Sequence, residues 1–350
     1  MVGQKTISSA YQLNRLAKNV TFSIDKYAFT ISMVLWDPTT QCGSYGLIIK
    51  IFIMKLLKSE FNKIEEIVKN IYLNETIIKS SKIGGMTNVN YYCETNQRKC
   101  VVRIPGENTE VMINREHEKF NCQLATELSI NPNLYYYDLK SGIKITEYVS
   151  QSQTLSPKIV NDKGILKMIV ATLKKLHTSK LTFNNNFDVF EQYRNYIKTL
   201  VKNKIKYHNF EETESFFYCL EKKIKALPNK LVACHNDPVP ENFLLKSNTI
   251  YLIDWEYSGM NDPIWDISAF FEESKLSKEF ENYFLELYYK KEISEDILEK
   301  ILIYRICQNF LWSIWTLIKE KKENLFGDYG HVRYEKCLKQ IEKYKVMYHE

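Results

Sequence analysis

The sequence predicts an α+β protein, in which a small lobe with an antiparallel sheet precedes a larger, mostly helical lobe. Short strand-like runs separated by turn residues crowd the stretch Ile77–Ile104. Apolar residues at helical spacing dominate much of the chain after Gly164. The chain has 350 residues, of which 45% are hydrophobic and 26% charged, so it can bury a sizeable core as one or two domains.

The first 57 residues carry no chemical motif. They are predicted to be an N-terminal extension or accessory segment of unknown role, and Met54 would make a natural start for the remaining chain. Val20–Trp36 alternates in a strand-like way and Cys42–Tyr45 is typical of a turn. After this segment the predictions are a helix over Leu57–Leu73, strands over Ile77–Ile83, Tyr91–Glu94 and Lys99–Ile104, a helix over Glu110–Leu128, and a β-type run over Gly142–Val149.

The rest of the chain is predicted to be mostly helical, and residues 58–149 and 150–350 are assigned to the two lobes. Helices are expected over Gly164–Leu176 and Phe187–Val201, and Leu276–Tyr348 is expected to be almost wholly helical. Leu231–Leu252 interrupts them with two short apolar runs around a polar loop. The smaller lobe is expected to bind a nucleotide, and the larger to hold the catalytic loop, the metal site and the acceptor pocket.

Composition excludes several classes of function. The formal charge of +6 is spread along the chain, with Lys-rich segments beside Glu-rich ones, so no nucleic-acid partner is expected. The eight cysteines are scattered without a C-x-x-C pair, which is typical of free thiols in a reducing compartment. Gly46–Leu57 is apolar but short and contains two lysines, so no membrane insertion is expected. With no secretion signal at the start, the cytoplasm is the expected location.

One polar segment carries residues suited to phosphoryl transfer: Cys234–Leu245, which reads CHNDPVPENFLL. Phosphorylation of an alcohol needs a carboxylate to orient the hydroxyl and accept its proton, and oxygen ligands for Mg²⁺ on the phosphates. The spacing D-x-x-x-x-N supplies both, with Asp237 as the base and Asn242 as a metal ligand. Alone, such a string is more often a loop with capping Asp and Asn residues.

A second carboxylate strengthens this interpretation. The apolar run that follows the loop ends abruptly at Asp254, which places a carboxylate at the mouth of the site. A tight hairpin that turns at Lys246–Asn248 would bring this carboxylate back towards Asp237. Mg²⁺ prefers oxygen ligands, so Asp254 is predicted as the second metal ligand. Together, and in this order, the motifs predict a kinase that uses ATP and Mg²⁺.

The quoted segment and LIDWEYSGMNDPIWDISAFFEES, which follows it, closely resemble the bacterial choline kinases, within the choline/ethanolamine kinase and aminoglycoside phosphotransferase group. The resemblance covers Ile77–Tyr334 and is strongest over Leu231–Ser274. It implies a protein-kinase-like two-lobe fold in which His235 braces the catalytic loop. Pro238 departs from the family, where Leu or Cys is more familiar, and proline fixes the backbone there and removes an N–H donor.

The resemblance also implies nucleotide-binding residues in the smaller lobe. A loop with paired glycines allows the backbone to approach phosphates closely, and an arginine on a strand offers a guanidinium fork for phosphate oxygens. A helix glutamate would pair with this arginine, and the backbone of a hinge between the lobes would bind adenine. The implied residues are Gly84, Gly85, Thr87 and Asn88 in the loop, Arg103 on the strand, Glu118 on the helix with Glu116 as its rival, and Glu147, Tyr148 and Val149 at the hinge.

The acceptor is inferred from aromatic residues. A quaternary ammonium cannot donate hydrogen bonds, so proteins surround it with aromatic faces and sometimes a carboxylate. Trp312 and Trp315 lie three positions apart and share a helix face, a pattern that is ordinarily core. Choline kinases carry a W-x-x-W pair that lines the choline pocket, and the resemblance adds Tyr257 as a cage residue, Glu273 as a nearby carboxylate and Tyr329 as a further wall.

The expected reaction is therefore the phosphorylation of choline, or of a related small amino alcohol. Ethanolamine stays open because its ammonium can also sit against aromatic rings. An aminoglycoside would demand an acidic groove, which the aromatic pair does not supply. A catalytically silent nucleotide-binding or scaffold protein would be favoured by a missing base or metal ligand, and none is missing here. The sequence leaves the oligomeric state undetermined, and a homodimer stays open.

Overall fold

The protein is described by a computed structural model, in which the chain divides into two compact units. The first unit comprises Met1–Ile104 and Lys144–Tyr148, and the second comprises Pro105–Ile143 and Val149–Glu350. The predicted boundaries of the two lobes stay predictions. The residues that the structure describes are 17–24, 27–34, 62–85, 87–106, 109, 112–200, 205, 207–319 and 326–348.

Strands and helices alternate irregularly along the described chain. The strands are β1 (Ala17–Ile24), β2 (Tyr27–Val34), β3 (Ile77–Lys82), β4 (Val89–Thr95), β5 (Lys99–Ile104), β6 (Leu134–Tyr137), β7 (Lys144–Glu147), β8 (Gln153–Thr154), β9 (Val232–Cys234), β10 (Phe243–Lys246), β11 (Thr249–Leu252) and β12 (Gly259–Asn261). The helices are α1 (62–71), α2 (Arg115–Glu127), α3 (Lys163–His177), α4 (Val189–Thr199), α5 (Phe210–Ala226), α6 (Pro263–Ser274), α7 (Lys278–Tyr289), α8 (Glu295–Lys319) and α9 (Tyr329–Tyr348).

The first unit is built on antiparallel strands. β3, β4, β5 and β7 pair in that order, which confirms the three strands predicted over 77–104 to within two residues at each end. β4 and β5 form because their inward residues are apolar: Tyr91 pairs with Val102, and Cys93 with Cys100, and all four are buried. β1 and β2 form a separate hairpin in the region that was predicted to be strand-like, whereas Cys42–Tyr45 lies outside the described residues.

The second unit is mainly helical around α8. This helix packs against α4, α5, α6 and α9 and buries nearly its whole middle, from Ile301 to Thr316. By length and composition it could cross a membrane, with a mean hydropathy of 1.3 over 18 residues. From the sequence, Gly46–Leu57 was the only segment considered as a possible membrane span. Because 78% of that stretch is buried inside the protein, α8 has the environment of a core helix.

Two predictions need correction. The helix expected from Glu110 begins only at Arg115, because the side chain of Asn114 caps it by accepting from the backbone N–H groups of Glu116 and His117. No element was predicted over β6, α5, α6 or β12. The segment Leu276–Tyr348 is helical as expected, but in the described chain it consists of three helices. The first ends at Tyr289 and is followed by Lys290 in the left-handed conformation.

A small set of strands in the second unit positions the polar loop. β10 and β11 form the predicted hairpin, with Ser247 at a φ of 53° in its turn. β12 pairs with β9, and Gly259 sits opposite Cys234. A Cβ on Gly259 would lie 2.6 Å from Nδ2 of Asn185, so a larger residue there would displace the Asn185 side chain. Both ends of the loop that contains Asp237 are therefore fixed by strand pairing.

Candidate active site

The loop after β9 is held by a neutral histidine. His235 Nε2 lies 2.9 Å from the backbone oxygen of Ile253, which can only accept, so Nε2 carries the proton. Nδ1 then accepts from the backbone N–H of Asp237 at 3.3 Å. Burial lowers the pKa of His235, in keeping with a ring that uses one nitrogen as donor and the other as acceptor. His235 is thus a brace between two chain segments.

The predicted base and one of the two predicted metal ligands, Asn242, share this loop. Asn242 Nδ2 donates to the backbone oxygen of Asp237 at 2.9 Å and to its Oδ2 at 3.2 Å. The backbone N–H of Ile253 donates to the backbone oxygen of Asn242 at 2.9 Å. This bond joins the chain just before Asp254 to the same loop. Asp254 itself has a φ of 68°, a left-handed conformation that is uncommon outside glycine.

Negative charge is concentrated around Asp237. Burial raises the pKa of this carboxyl well above its usual range, and the carboxylates of Asp254, Glu273 and Glu256 raise it further. The hydrogen bond from Asn242 acts in the opposite direction. Several carboxylates gathered around one half-buried acid are the kind of environment that a divalent cation stabilises.

A buried carboxylate that the sequence analysis left without a role anchors the loop. Asp266, near the start of α6, accepts the backbone N–H of Asn236 at 2.7 Å and that of His235 at 2.9 Å. Its Oδ2 also lies 2.9 Å from His177 Nε2, and the other ring nitrogen of His177 lies 2.8 Å from the Tyr288 hydroxyl. Asn236 has a φ of 69°, so these bonds hold a strained residue next to Asp237.

The structure brings the three predicted aromatic residues of the acceptor site into direct contact. Trp312 and Trp315 meet edge to face with ring centroids 6.0 Å apart, and Tyr257 meets Trp312 at 5.2 Å. Trp315 Nε1 donates to the Tyr257 hydroxyl at 3.0 Å. We call these three residues the aromatic cluster. Tyr196 of α4, which the sequence analysis missed, adjoins Tyr257 closely enough that each phenol affects the pKa of the other.

The remaining predicted acceptor residues, Glu273 and Tyr329, meet through an arginine. Arg333 is 2% exposed, forms an ion pair with Glu273, and places its guanidinium carbon 5.6 Å from the Tyr329 ring centroid. Tyr329 and Arg333 lie four positions apart on α9, so a helical reading of that segment could have found this arginine.

In the first unit, the predicted phosphate loop joins β3 to β4. Gly84 and Gly85 have φ values of +89° and +122°, conformations that favour glycine. A Cβ on Gly85 would lie 2.0 Å from the backbone oxygen of Asn88, so no other residue fits. Asn88 is buried, and Thr87 is half-buried. Met86, between them, lies outside the described residues.

The predicted phosphate-gripping arginine has a basic neighbour that the sequence analysis missed. Arg103 on β5 stands opposite Lys144 on β7, and both side chains are buried. Residues opposite each other in antiparallel strands share a face of the sheet, so two cations point the same way. Arg103 and Lys144 lie on two separately predicted strands, and the sequence alone does not show that these strands pair.

The helix and hinge residues are placed as follows. On α2, Glu118 is buried and accepts from the Tyr137 hydroxyl at 2.5 Å, whereas Glu116 is exposed. Glu118 belongs to the second unit and Arg103 to the first. At the predicted hinge, Glu147 is the last residue of β7 and Val149 is buried. Between them, the backbone N–H of Tyr148 donates to the backbone oxygen of Lys99 at 3.1 Å.

Comparison with known proteins decides the family. A family model described as choline/ethanolamine kinase matches residues 80–289. The chain belongs to the choline/ethanolamine kinase family. Protein LicA of Haemophilus influenzae is 38% identical over 282 residues, which are 78% of this chain and 82% of that protein.

Two crystal structures extend the comparison. Choline kinase LicA from Streptococcus pneumoniae is 35% identical, with a TM-score of 0.74 and coverage of 81% of this chain and 99% of that one. LicA in complex with AMP is 36% identical, with a TM-score of 0.73 and coverage of 81% and 98%. The protein-kinase-like α+β fold and the family inferred from the sequence are thereby confirmed. The protein is a kinase that phosphorylates an alcohol group.

Proposed function

We propose that this kinase transfers the γ-phosphoryl group of ATP to the hydroxyl of choline, which yields phosphocholine and ADP. The observation that carries the proposal is the aromatic cluster, which adjoins the loop of Asp237: the side chain of Asn236, the residue before Asp237, donates to the backbone oxygen of Tyr257 at 2.9 Å. A compact cation with no hydrogen-bond donors suits aromatic faces, and its hydroxyl would then reach a carboxylate nearby. The relatives named as choline kinases support the same acceptor.

Asp237 is proposed as the base. It orients the choline hydroxyl and accepts its proton as the oxygen attacks phosphorus and the bond to ADP breaks. Its raised pKa reflects burial and neighbouring carboxylates in the free protein, and a bound cation would favour the ionised form that a base requires. The turn after Asp237 is closed by the N–H of Val239, which donates to the backbone oxygen of Asp237 at 2.9 Å, and so does not use the N–H that Pro238 lacks.

Asn242 and Asp254 are proposed to hold Mg²⁺. Their donor set fits a hard cation, since Asn242 has committed its amide nitrogen to Asp237 and so keeps Oδ1 for a ligand, while Asp254 adds a carboxylate. Bound there, Mg²⁺ would neutralise phosphate charge. On the nucleotide side, the residues proposed to act are Gly84, Gly85, Thr87 and Asn88 of the loop, Arg103, Glu118, and the backbone of Glu147, Tyr148 and Val149.

The cytoplasm is the proposed location, in keeping with thiols that are free at every cysteine in the described part of the chain. Tyr257, Trp312, Trp315 and Tyr329 are the proposed walls of the acceptor site, and Glu273 is the proposed carboxylate nearby. Ethanolamine is the alternative substrate because the family includes kinases for both.

A coupled ADP-release assay with choline, ethanolamine and kanamycin tests the proposal. Choline should be turned over with the highest kcat/KM, and turnover should require both ATP and Mg²⁺. The variant Asp237→Ala should lose turnover while it still binds nucleotide. Comparable rates with kanamycin, or undiminished activity of the variant, would contradict the proposed acceptor or the proposed base, respectively.

A further inference from the structure

A buried ion pair links two helices beside the acceptor residues. Arg333 of α9 pairs with Glu273 of α6, whose side chain is 27% exposed. Arg333 Nε has no hydrogen-bond partner within the part of the chain that the structure describes. Burying a guanidinium with one donor unused is costly unless a charge nearby compensates. Arg333 is therefore held mainly by the charge of Glu273 and by the face of Tyr329.

Glu272, the acidic residue next to Glu273, has hydrogen-bond donors of its own. Glu272 is buried, and its carboxylate oxygens receive hydrogen bonds from Arg305 at 2.9 Å and from Lys336 and Gln340 at 3.0 Å. Glu272 is thus already satisfied by other donors, and Glu273 is the carboxylate that Arg333 pairs with directly.

Glu273 lies close to both ends of the proposed acceptor site. Glu273 pairs with Arg333, whose guanidinium carbon lies 5.6 Å from the centroid of the Tyr329 ring. At the hydroxyl end, burial and the charge of Asp254 raise the pKa of Asp237, and the charge of Glu273 adds to this effect. On the aromatic side, the Phe326 ring lies 5.1 Å from Trp315, just before Tyr329 on the chain. A free Glu273 carboxylate would consequently attract a cationic acceptor, and the ion pair with Arg333 cancels that attraction.

The two candidate acceptors respond differently to this cancellation. The ammonium of ethanolamine has three N–H donors that must find acceptors when water is removed, and a carboxylate would satisfy them. The quaternary ammonium of choline has no donor and binds well against aromatic faces alone. A site whose nearby carboxylate is already paired therefore penalises the primary ammonium more strongly than the quaternary one.

We propose that Arg333 determines acceptor specificity: by pairing with Glu273, it withholds that carboxylate from the substrate and favours choline over ethanolamine. The inference rests on the proposed function, since it concerns the same acceptor site. Arg333 acts through Glu273 and Tyr329 and is a specificity-determining residue without a role in the chemical step.

The test compares kcat/KM for choline and ethanolamine in the wild type, Arg333→Met, Glu273→Gln and the double variant. In R333M, Glu273 is released as a counter-ion, and the choline/ethanolamine ratio should fall about tenfold. In E273Q, an unpaired Arg333 repels both cations, so both values should fall while the ratio stays within about twofold. The double variant is neutral again and should return to a ratio near that of the wild type.

Arg305→Met is the matched control. Arg305 also forms a buried ion-pair network between helices, with Glu272 and Glu281, but it does not pair with Glu273. R305M should lower the melting temperature and leave the ratio unchanged. If R333M fails to fold, E273Q alone decides, because a selective loss of ethanolamine turnover would mean that Glu273 already binds the ammonium despite Arg333.

Failure of the inference and failure of the proposed function give different results. An unchanged ratio in an active R333M enzyme would overturn the role of Arg333 and leave choline phosphorylation intact. If the wild type turns over neither amino alcohol, the proposed function fails. The specificity claim is then decided by titrating tryptophan fluorescence with both compounds, and equal effects of R333M on the two affinities would overturn it.

Discussion

Replacing Asp266 with asparagine should slow turnover while nucleotide binding survives. An amide has one acceptor oxygen where the carboxylate has two, and it presents an NH₂ group in place of the other. The carboxylate now accepts from Asn236 N at 2.7 Å on one oxygen and from His235 N at 2.9 Å on the other. Whichever way the amide turns, at least one buried backbone N–H loses its acceptor.

The magnitude follows from those bonds. A hydrogen bond to a charged acceptor contributes about 1.5–3 kcal/mol, and an unsatisfied buried donor costs about 1–3 kcal/mol, so Asp266→Asn should destabilise the fold by roughly 2.5–6 kcal/mol. Asn236, at a φ of 69°, depends on these bonds and would relax, which shifts Asp237. A shift of about 1 Å in a reacting group costs about 100-fold in rate.

The assay measures kcat by coupled ADP release, the Kd of a fluorescent ATP analogue, and thermal unfolding. We expect kcat to fall about 100-fold, with the nucleotide Kd changed less than about threefold. Asp262→Asn is the matched control: Asp262 is equally buried and caps α6, and it pairs with Lys300 instead of the loop. If D262N slowed the folded enzyme as much as D266N, or if D266N kept its kcat, the anchoring role of Asp266 would be refuted.

Three further predictions concern the acceptor, the nucleotide loop and acid stability. Trp312→Ala should raise the choline KM by at least about tenfold and leave the ATP KM nearly unchanged, because the aromatic cluster loses one of its faces. Equal effects on the two KM values would indicate that Trp312 has a purely structural role. Gly85→Ala should raise the ATP KM at least about tenfold, since its Cβ would meet the backbone oxygen of Asn88 at 2.0 Å. Gly84→Ala is the control, because its Cβ would have nothing within 4 Å and should cost only about 1 kcal/mol of backbone strain. Steady-state kinetics and urea unfolding measure the two effects, and equal effects of both variants would count against the tight loop. Burial pushes the pKa of Glu272 up, but the charges of Arg305 and Lys336 outweigh it and lower this pKa to about 2, so Glu272 should contribute about 3 kcal/mol of stability above pH 4.5 that is lost as the pH falls towards 2. Urea unfolding of Glu272→Gln should therefore differ from the wild type by about this amount at pH 7 and by roughly 1.4 kcal/mol at pH 3. A difference in unfolding free energy that did not depend on pH would contradict the assigned ion pairs.

The sequence predicted the fold class and the hairpin that follows the polar loop because both depend on local patterns. The hairpin after Asn242 follows from two short apolar runs and a polar turn, and the structure has it at the expected place. The W-x-x-W spacing fixed a shared helix face, and the rings do meet. The roles assigned to these residues stay predictions until variants are measured.

The missed residues all depend on long-range contacts. Asp266 was visible in the motif, but nothing local shows that its carboxylate reaches the backbone of His235, 31 positions earlier. Arg333 pairs with Glu273 across 60 positions, between two different helices. Lys144 is recognised as a neighbour of Arg103 only through the pairing of β5 with β7. Tertiary pairing of this kind leaves no periodic signal in a single sequence.

The central claim is that this kinase phosphorylates choline, and ³¹P NMR of the reaction mixture tests it most directly. Purified protein is incubated with ATP, Mg²⁺ and choline, and a matched sample receives Asp237→Ala. The account predicts a new phosphomonoester signal that coincides with added phosphocholine, grows as ADP appears, and is absent from the variant sample. ADP accompanied only by inorganic phosphate, or no consumption of ATP at all, would contradict it.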